Sequence, residues 1–141
     1  TTTQTLTVQV LGDAVPESDE TFFVNLSNPA GATLARAQGV GTIRNDDPYI
    51  TVIEPNGGES WRVNRPRPLR WSSSLVSGNV KIELSRDNGA TWQVLFASTP
   101  NDGSQNWRVT GPTITLAKIR VSSVTNPAVS DTSNGVFTIR K

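Results

Sequence analysis

Nothing in this chain limits its fold more than the run Asn79 to Ala97, NVKIELSRDNGATWQVLFA. Val80, Ile82 and Leu84 alternate with Lys81, Glu83 and Ser85, the period-two pattern of a strand with one buried face. Trp92, Val94 and Phe96 alternate in the same way with Gln93, Leu95 and Ala97. Between them lies Arg86-Asp87-Asn88-Gly89-Ala90, where glycine takes positive φ without a Cβ clash and asparagine tolerates it. The segment predicts a β-hairpin. A hairpin alone is marginal in water, so further strands must cover its apolar face.

Those strands are legible along the chain. Thr5 to Leu11 alternates, and Gly12 to Glu20 follows as an acidic loop kept out of helix by Pro16. Phe22, Val24 and Leu26 mark a second strand and Gly39 to Arg44 a third, with Asn45-Asp46-Asp47-Pro48 closing the unit. Beyond it, strands are expected to begin at Tyr49, Leu69, Val80, Trp92, Gln105, Lys118 and Val136. Arg65-Pro66-Arg67-Pro68 reads as a stiff approach to one of them. Seven short strands at this spacing predict a β-sandwich over residues 48–141, preceded by a three-stranded unit over residues 1–47. The class is all-β. Trp61, Trp71, Trp92 and Trp107 all fall in the second unit, and Trp71 and Trp92 are expected to face inward.

Charge separates the same two units. Residues 1–47 carry six acids against two arginines, a net −4, whereas residues 48–141 carry eleven bases against six acids, a net +5. With no histidine and no cysteine, the chain can build neither a Ser-His-Asp triad, a cysteine nucleophile nor the usual zinc sites. No apolar run is long enough to span a bilayer as a helix, and membrane insertion is not expected. The absence of an initiator methionine, with a strand-like run at the very start, leads us to expect a fragment.

Three resemblances sharpen these expectations. Ser85-x-Asp87-x-Gly89-x-Thr91-Trp92 resembles the Asp-box of sialidases and other β-propellers. There the aspartate bonds turn amides and the tryptophan packs beneath, so Ser85, Asp87, Gly89 and Trp92 are expected to be structural. GDAVPESDETFFVNLSNPAGATLARAQGVGTIRNDD resembles the C-terminal half of a Calx-beta domain, a seven-stranded calcium-associated sandwich. PNGGESW, LRWSS, VKIELSRDNGATW, NDGSQNWRVTGP, KIRVSS and DTSNGVFTI together resemble an Ig-like module named from yeast cell-wall biogenesis proteins, among them Ser/Thr-rich GPI-anchored proteins. That resemblance covers about residues 49–140. It implies an extracellular Ig-like or fibronectin-like sandwich without catalytic residues, and the GPI anchoring of the yeast proteins is not carried over.

The Calx-beta resemblance implies calcium ligands at Asp13 and Glu17 in the first loop and at Asn45, Asp46 and Asp47 at the end. Gly12 and Ala14 stand where calcium-binding members carry further aspartates, and the resemblance covers only the second half of such a domain. The alternative is a solvated acidic loop in which Asp46 and Asp47 cap a turn. Three strands cannot bury both faces and leave edges that pair readily with other chains. Self-association through the N-terminal strands, or their disorder at low concentration, is therefore expected.

The remaining candidates each have a plainer reading beside the functional one. Asp87 as a glycosidase acid would need a second carboxylate across a cleft, and a turn aspartate is the better fit. The tryptophans are a core or a sugar-stacking platform, with Trp61 in the PNGGESW turn the best surface candidate. Arg62, Arg65, Arg67 and Arg70 are a solvated edge or a polyanion-binding patch; nucleic acid is not the expected partner. The function expected is a non-catalytic structural or adhesive module pair of a bacterial surface or secreted protein. The alternative is an accessory module of a secreted hydrolase, a spacer or a binder of cell-surface polysaccharide.

Overall fold

The computed structural model describes residues 3–13 and 15–141. It is all-β, with eleven strands and no helix among the described residues. The strands divide between two compact units, one to Asp47 and the other from Pro48 to Lys141.

The first unit holds β1 (Glu20–Asn25) and β2 (Gln38–Ile43), antiparallel from Glu20↔Ile43 to Asn25↔Gln38. Phe22 stands opposite Gly41, and its ring lies across the glycine: a Cβ there would come within 2.3 Å of Phe22 Cζ. The ring thus occupies the space that a side chain at 41 would need. On the other face Phe23 and Val40 are register partners, yet they remain 57% and 64% exposed.

Thr5 to Leu11 corrects an expectation, because it forms no strand. Leu6, Val8 and Val10 are exposed and Leu11 is 94% exposed. Alternation gives a segment a face, but a strand also needs a neighbour to take its N–H and C=O groups. Among the described residues β1 pairs only with β2, and no third ladder forms. Ala14, where the resemblance has an aspartate, lies outside the described residues.

The second unit has nine strands rather than seven. They are β3 (Tyr49–Glu54), β4 (Ser60–Arg62), β5 (Pro66–Ser74), β6 (Val80–Ser85), β7 (Gln93–Thr99), β8 (Ser104–Arg108), β9 (Ile114–Ser123), β10 (Ser130–Thr132) and β11 (Phe137–Arg140). One sheet runs β3-β5-β8. The other runs β4-β11-β9-β6-β7, with β10 also on β9. The two that sequence periodicity omits, β4 and β10, have three residues each, too few to show a period.

Both sheets feed one apolar cluster. Ile50, Val52, Leu69, Trp71, Trp107 and Val109 come from the three-stranded side. Trp61, Val80, Ile82, Leu84, Ala117, Ile119, Val121, Phe137 and Ile139 come from the other. Trp61 packs against Phe137 and Trp107 with ring centroids 5.2 and 6.3 Å apart, inside the range of favourable aromatic pairs. At about 25 cal/mol per Å² of apolar surface, such burial is the dominant favourable term of this unit.

The prolines before Leu69 belong to β5 itself. Pro66 and Pro68 pair with Arg108 and Asn106 of β8, whereas the ladder to β3 spans only Arg70 to Ser74. At Pro66 and Pro68 the strand is therefore a free edge on one side, where a missing N–H removes no ladder bond. Gly57 and Gly135 meet backbone to backbone: a Cβ on either would lie 3.0 Å from the other's Cα.

Candidate functional site

The acidic residues singled out in the first unit do gather. Asp13, Glu17, Asn45, Asp46 and Asp47 line one hollow of about 260 Å³, together with Glu20 and Arg44. Their hydrogen bonds tie the loop to the end of β2. Asp13 Oδ1 accepts from the Val15 amide at 2.8 Å. The Glu17 amide donates to Asn45 Oδ1 at 3.1 Å, and the Asn45 amide donates to Asp19 Oδ1 at 3.1 Å. Asn45 Nδ2 donates to the Asp47 carbonyl at 3.2 Å. Asn45 is the hub of this knot, and Asp19, absent from the expected ligand set, is its second anchor.

The side chains as placed do not form a complete calcium cage. Ca²⁺ takes six to eight oxygens, but no three acidic side chains among the described residues come close enough to share an ion. Asn45 Oδ1 is already committed to an amide, and Arg44 brings positive charge to the rim. The knot organises a loop.

In the second unit the hairpin turn is built as a web around one carboxylate. Asp87 Oδ1 accepts from Ser85 Oγ at 2.7 Å and from the Thr91 amide at 2.8 Å, and Oδ2 accepts from Thr91 Oγ1. The Gly89 amide donates to Ser85 Oγ at 2.7 Å. Asn88 and Gly89 take φ of 58° and 95°, which asparagine and glycine adopt at least cost. The bonds from Thr91, side chain and then amide, with that from Ser85, hold the Asp87 carboxyl down at about 2. A group so stabilised as the anion, exposed and tied on both oxygens, is a turn anchor and not a proton donor at neutral pH.

Trp92 corrects a second expectation: it is half-buried and outside the core. Ile82 pairs with Phe96 and Glu83 with Val94, so the register shifts across Leu95. That bulge breaks the alternation which put Trp92, Val94 and Phe96 on one face. Leu95 and Phe96 both pack on the core while Val94 is exposed. Trp92 instead receives the Arg120 guanidinium, whose Cζ sits 4.4 Å from the ring centroid, a cation–π contact.

Arg120 continues from that ring to Glu83. Its Nε and Nη2 donate to Glu83 Oε2 at 2.9 and 2.7 Å, and Lys81 Nζ lies 3.1 Å from Oε1. Glu83 is only 5% exposed. Burial pushes its carboxyl up, but the hydrogen bonds and charges of Arg120 and Lys81 outweigh this and hold it below its ordinary value. A buried carboxylate so satisfied is a structural ion pair. The sequence carried one signal for it, since Glu83 and Arg120 fall on the polar phase of two strands that turn out to be neighbours in register.

Trp61 corrects a third expectation. At 3% exposure it lies under Trp107 and Phe137, and no sugar ring can reach its face. Arg62, Arg65, Arg67 and Arg70 are all exposed, and only Arg70 has an acidic partner, Glu54 at 3.6 Å. No family model matches the chain.

Proposed function

We propose that this chain is a non-catalytic, extracellular structural module pair in which a self-sufficient sandwich follows a unit that completes itself by strand pairing with another chain. One observation carries the first half of that reading: every carboxylate of residues 48–141 is committed to a structural bond. Glu54 pairs with Arg70. Glu59 accepts from the Asn56 and Gly57 amides at 2.7 and 2.8 Å. Glu83 holds Arg120 and Lys81, and Asp87 holds its turn. Asp102 accepts from the Ser104 amide at 3.2 Å, and Asp131 from the Val52 amide at 2.7 Å. With no histidine or cysteine in the chain, these are the groups that acid–base chemistry would need free.

The web around Asp87 supports the Asp-box resemblance, and the paired sheets around one core support the Ig-like one. Extracellular placement rests on those resemblances. The partner is argued from β1 and β2, whose outer edges are unpaired and whose Phe23 and Val40 are uncovered. Such an edge is a template for another strand. Calcium has a secondary place: the charge around the acidic hollow attracts a divalent cation at the ~10⁻⁴–10⁻³ M typical of extracellular modules.

The test has two arms. Changing each of the six carboxylates to its amide is expected to move the melting temperature, with no polysaccharide, peptide or ester turned over by the parent chain. A turnover abolished by one such change would overturn the structural reading. Sedimentation with amide exchange tests the partner: exchange in β1 and β2 should slow as the chain associates. A chain that stays monomeric at high concentration with those amides already protected would sink it.

A further inference from the structure

Five of the eight basic residues of the second unit that lack an acidic partner are carried by backbone segments that meet at one place. Of its eleven basic residues, Arg70, Lys81 and Arg120 have acidic partners. Among the rest, Arg62 and Arg140 stand in register on the parallel strands β4 and β11. The Val63 amide donates to the Arg140 carbonyl at 2.8 Å, and Arg65 N–H donates to the Arg62 carbonyl. The Val109 amide donates to the Arg65 carbonyl, and Asn64 N–H to the Val109 carbonyl. Arg108 follows from there, opposite Pro66, with Arg67 one step along. The backbones of five arginines from three separate stretches of sequence thus meet at one end of the sandwich, where neighbouring strands lie about 5 Å apart. Arg62 and Arg140, next to buried Trp61 and Ile139, stand on the outward phase of one sheet, and Arg108, next to buried Trp107, on that of the other.

Among the described residues none of the five has a carboxylate within ion-pair distance, and all are exposed. Two are steadied by neutral acceptors: Arg108 Nη1 donates to the Asn64 carbonyl at 3.2 Å, and Arg140 Nε to Ser60 Oγ at 2.9 Å. Unpaired like charges carried at one end of a unit raise its positive potential, which attracts a polyanion. Guanidinium forks match carboxylate, sulfate and phosphate oxyanions in pairs.

The surroundings choose among polyanions. Beside Arg140 lies a shallow depression of about 570 Å³ lined by Thr113, Ile114, Thr115, Thr138 and Ile139. Its threonine hydroxyls suit sugar hydroxyls. Trp61, Trp71, Trp107 and Phe137, the aromatic rings nearest in sequence to these arginines, are all buried, so they offer no platform for stacked bases. We propose that the end of the sandwich bearing Arg62, Arg65, Arg67, Arg108 and Arg140 binds acidic polysaccharide, with the Thr113–Thr115–Thr138 depression seating a sugar ring.

The probes are dextran sulfate, polygalacturonate, uncharged dextran and a short DNA duplex, each titrated against the intact chain. Both acidic polymers should bind and uncharged dextran should not, with affinity falling at least about tenfold between 50 and 200 mM NaCl as counterions are released. Arg62→Gln/Arg65→Gln should weaken binding about tenfold and flatten the salt slope by about 2. Arg70→Gln/Lys118→Gln removes the same charge elsewhere and should change affinity less than about twofold. Arg67→Gln/Arg108→Gln is a second disruption should the first variant lose its fold by circular dichroism. Equal losses in the patch and control variants would reduce the effect to net charge and overturn the site. Failure of both acidic polymers to bind, or duplex binding as tight as theirs, would overturn the polysaccharide assignment. The structural reading stands or falls separately, since its tests read turnover and strand pairing.

Discussion

The two units are written in the same alternating pattern and reach opposite ends. In residues 48–141 apolar phases from two sheets face one another, and fifteen hydrophobic residues close into one cluster. In the first unit the same pattern yields a two-stranded ladder with Phe23 and Val40 uncovered and a preceding run, Thr5 to Leu11, with no ladder at all. Alternation therefore states a demand for a covering layer. Only the number of strands within reach decides whether the demand is met.

Truncating one aromatic in each unit makes the largest contrast. Trp61→Ala should cost about 3–5 kcal/mol in urea unfolding followed by circular dichroism, because it removes a buried ring and leaves a cavity. Phe23→Ala in the monomer should change stability by less than about 0.5 kcal/mol, as exposed positions do. Comparable losses from the two would erase the distinction between the units.

Trp92→Ala sharpens the comparison inside the second unit. A half-buried ring that carries a guanidinium loses partial burial and a cation–π contact, together about 1–2 kcal/mol. The double change with Arg120→Ala should cost less than the sum of the singles. A loss as large as that of Trp61→Ala would put Trp92 back in the core.

The third prediction separates the units by pH. Asp87 has a folded pKa of about 2 against an ordinary 3.8. A depressed carboxylate stabilises the fold above its unfolded value, and that stability disappears as pH falls through the folded one. The second unit should thus lose part of its stability between about pH 4 and pH 2, and Asp87→Asn should lack that slope. An unchanged slope in the variant would show that the turn web does not hold the anion.

Calcium gives the smallest expected effect. Titration to several millimolar should raise the melting temperature of the first unit by at most a degree or two, and Asp46→Asn/Asp47→Asn should remove even that. A micromolar, saturable heat would contradict the open geometry of the hollow.

Much of this fold could be read from residues. The β6–β7 hairpin, its Asn88-Gly89 turn and the serine–aspartate–threonine web all depend on neighbours within a few positions, where local chemistry decides. What escaped depends on distant partners. Trp92 was assigned to the wrong face because the bulge at Leu95 answers to the pairing with β6. The Asn45 knot joins residues 26 and 28 positions apart, and nothing in either loop marks the other. The arginine cluster is half visible as Arg62 to Arg70. Arg108 and Arg140 join it only because β8 and β11 come alongside.

The three-stranded sheet has one further consequence. The ladders of β5 to β3 and to β8 overlap in register at a single residue, Arg70, opposite Glu54 on one side and Ser104 on the other. In kinetic terms this layer is two antiparallel ladders in series, and either can open while the other stays shut. A polymer seated at Arg65 and Arg67 would slow the opening of the β8 half alone. Ligand and unfolding would then be coupled through half a sheet, and the β3 half, nearest the junction with the first unit in sequence, would breathe at its own rate.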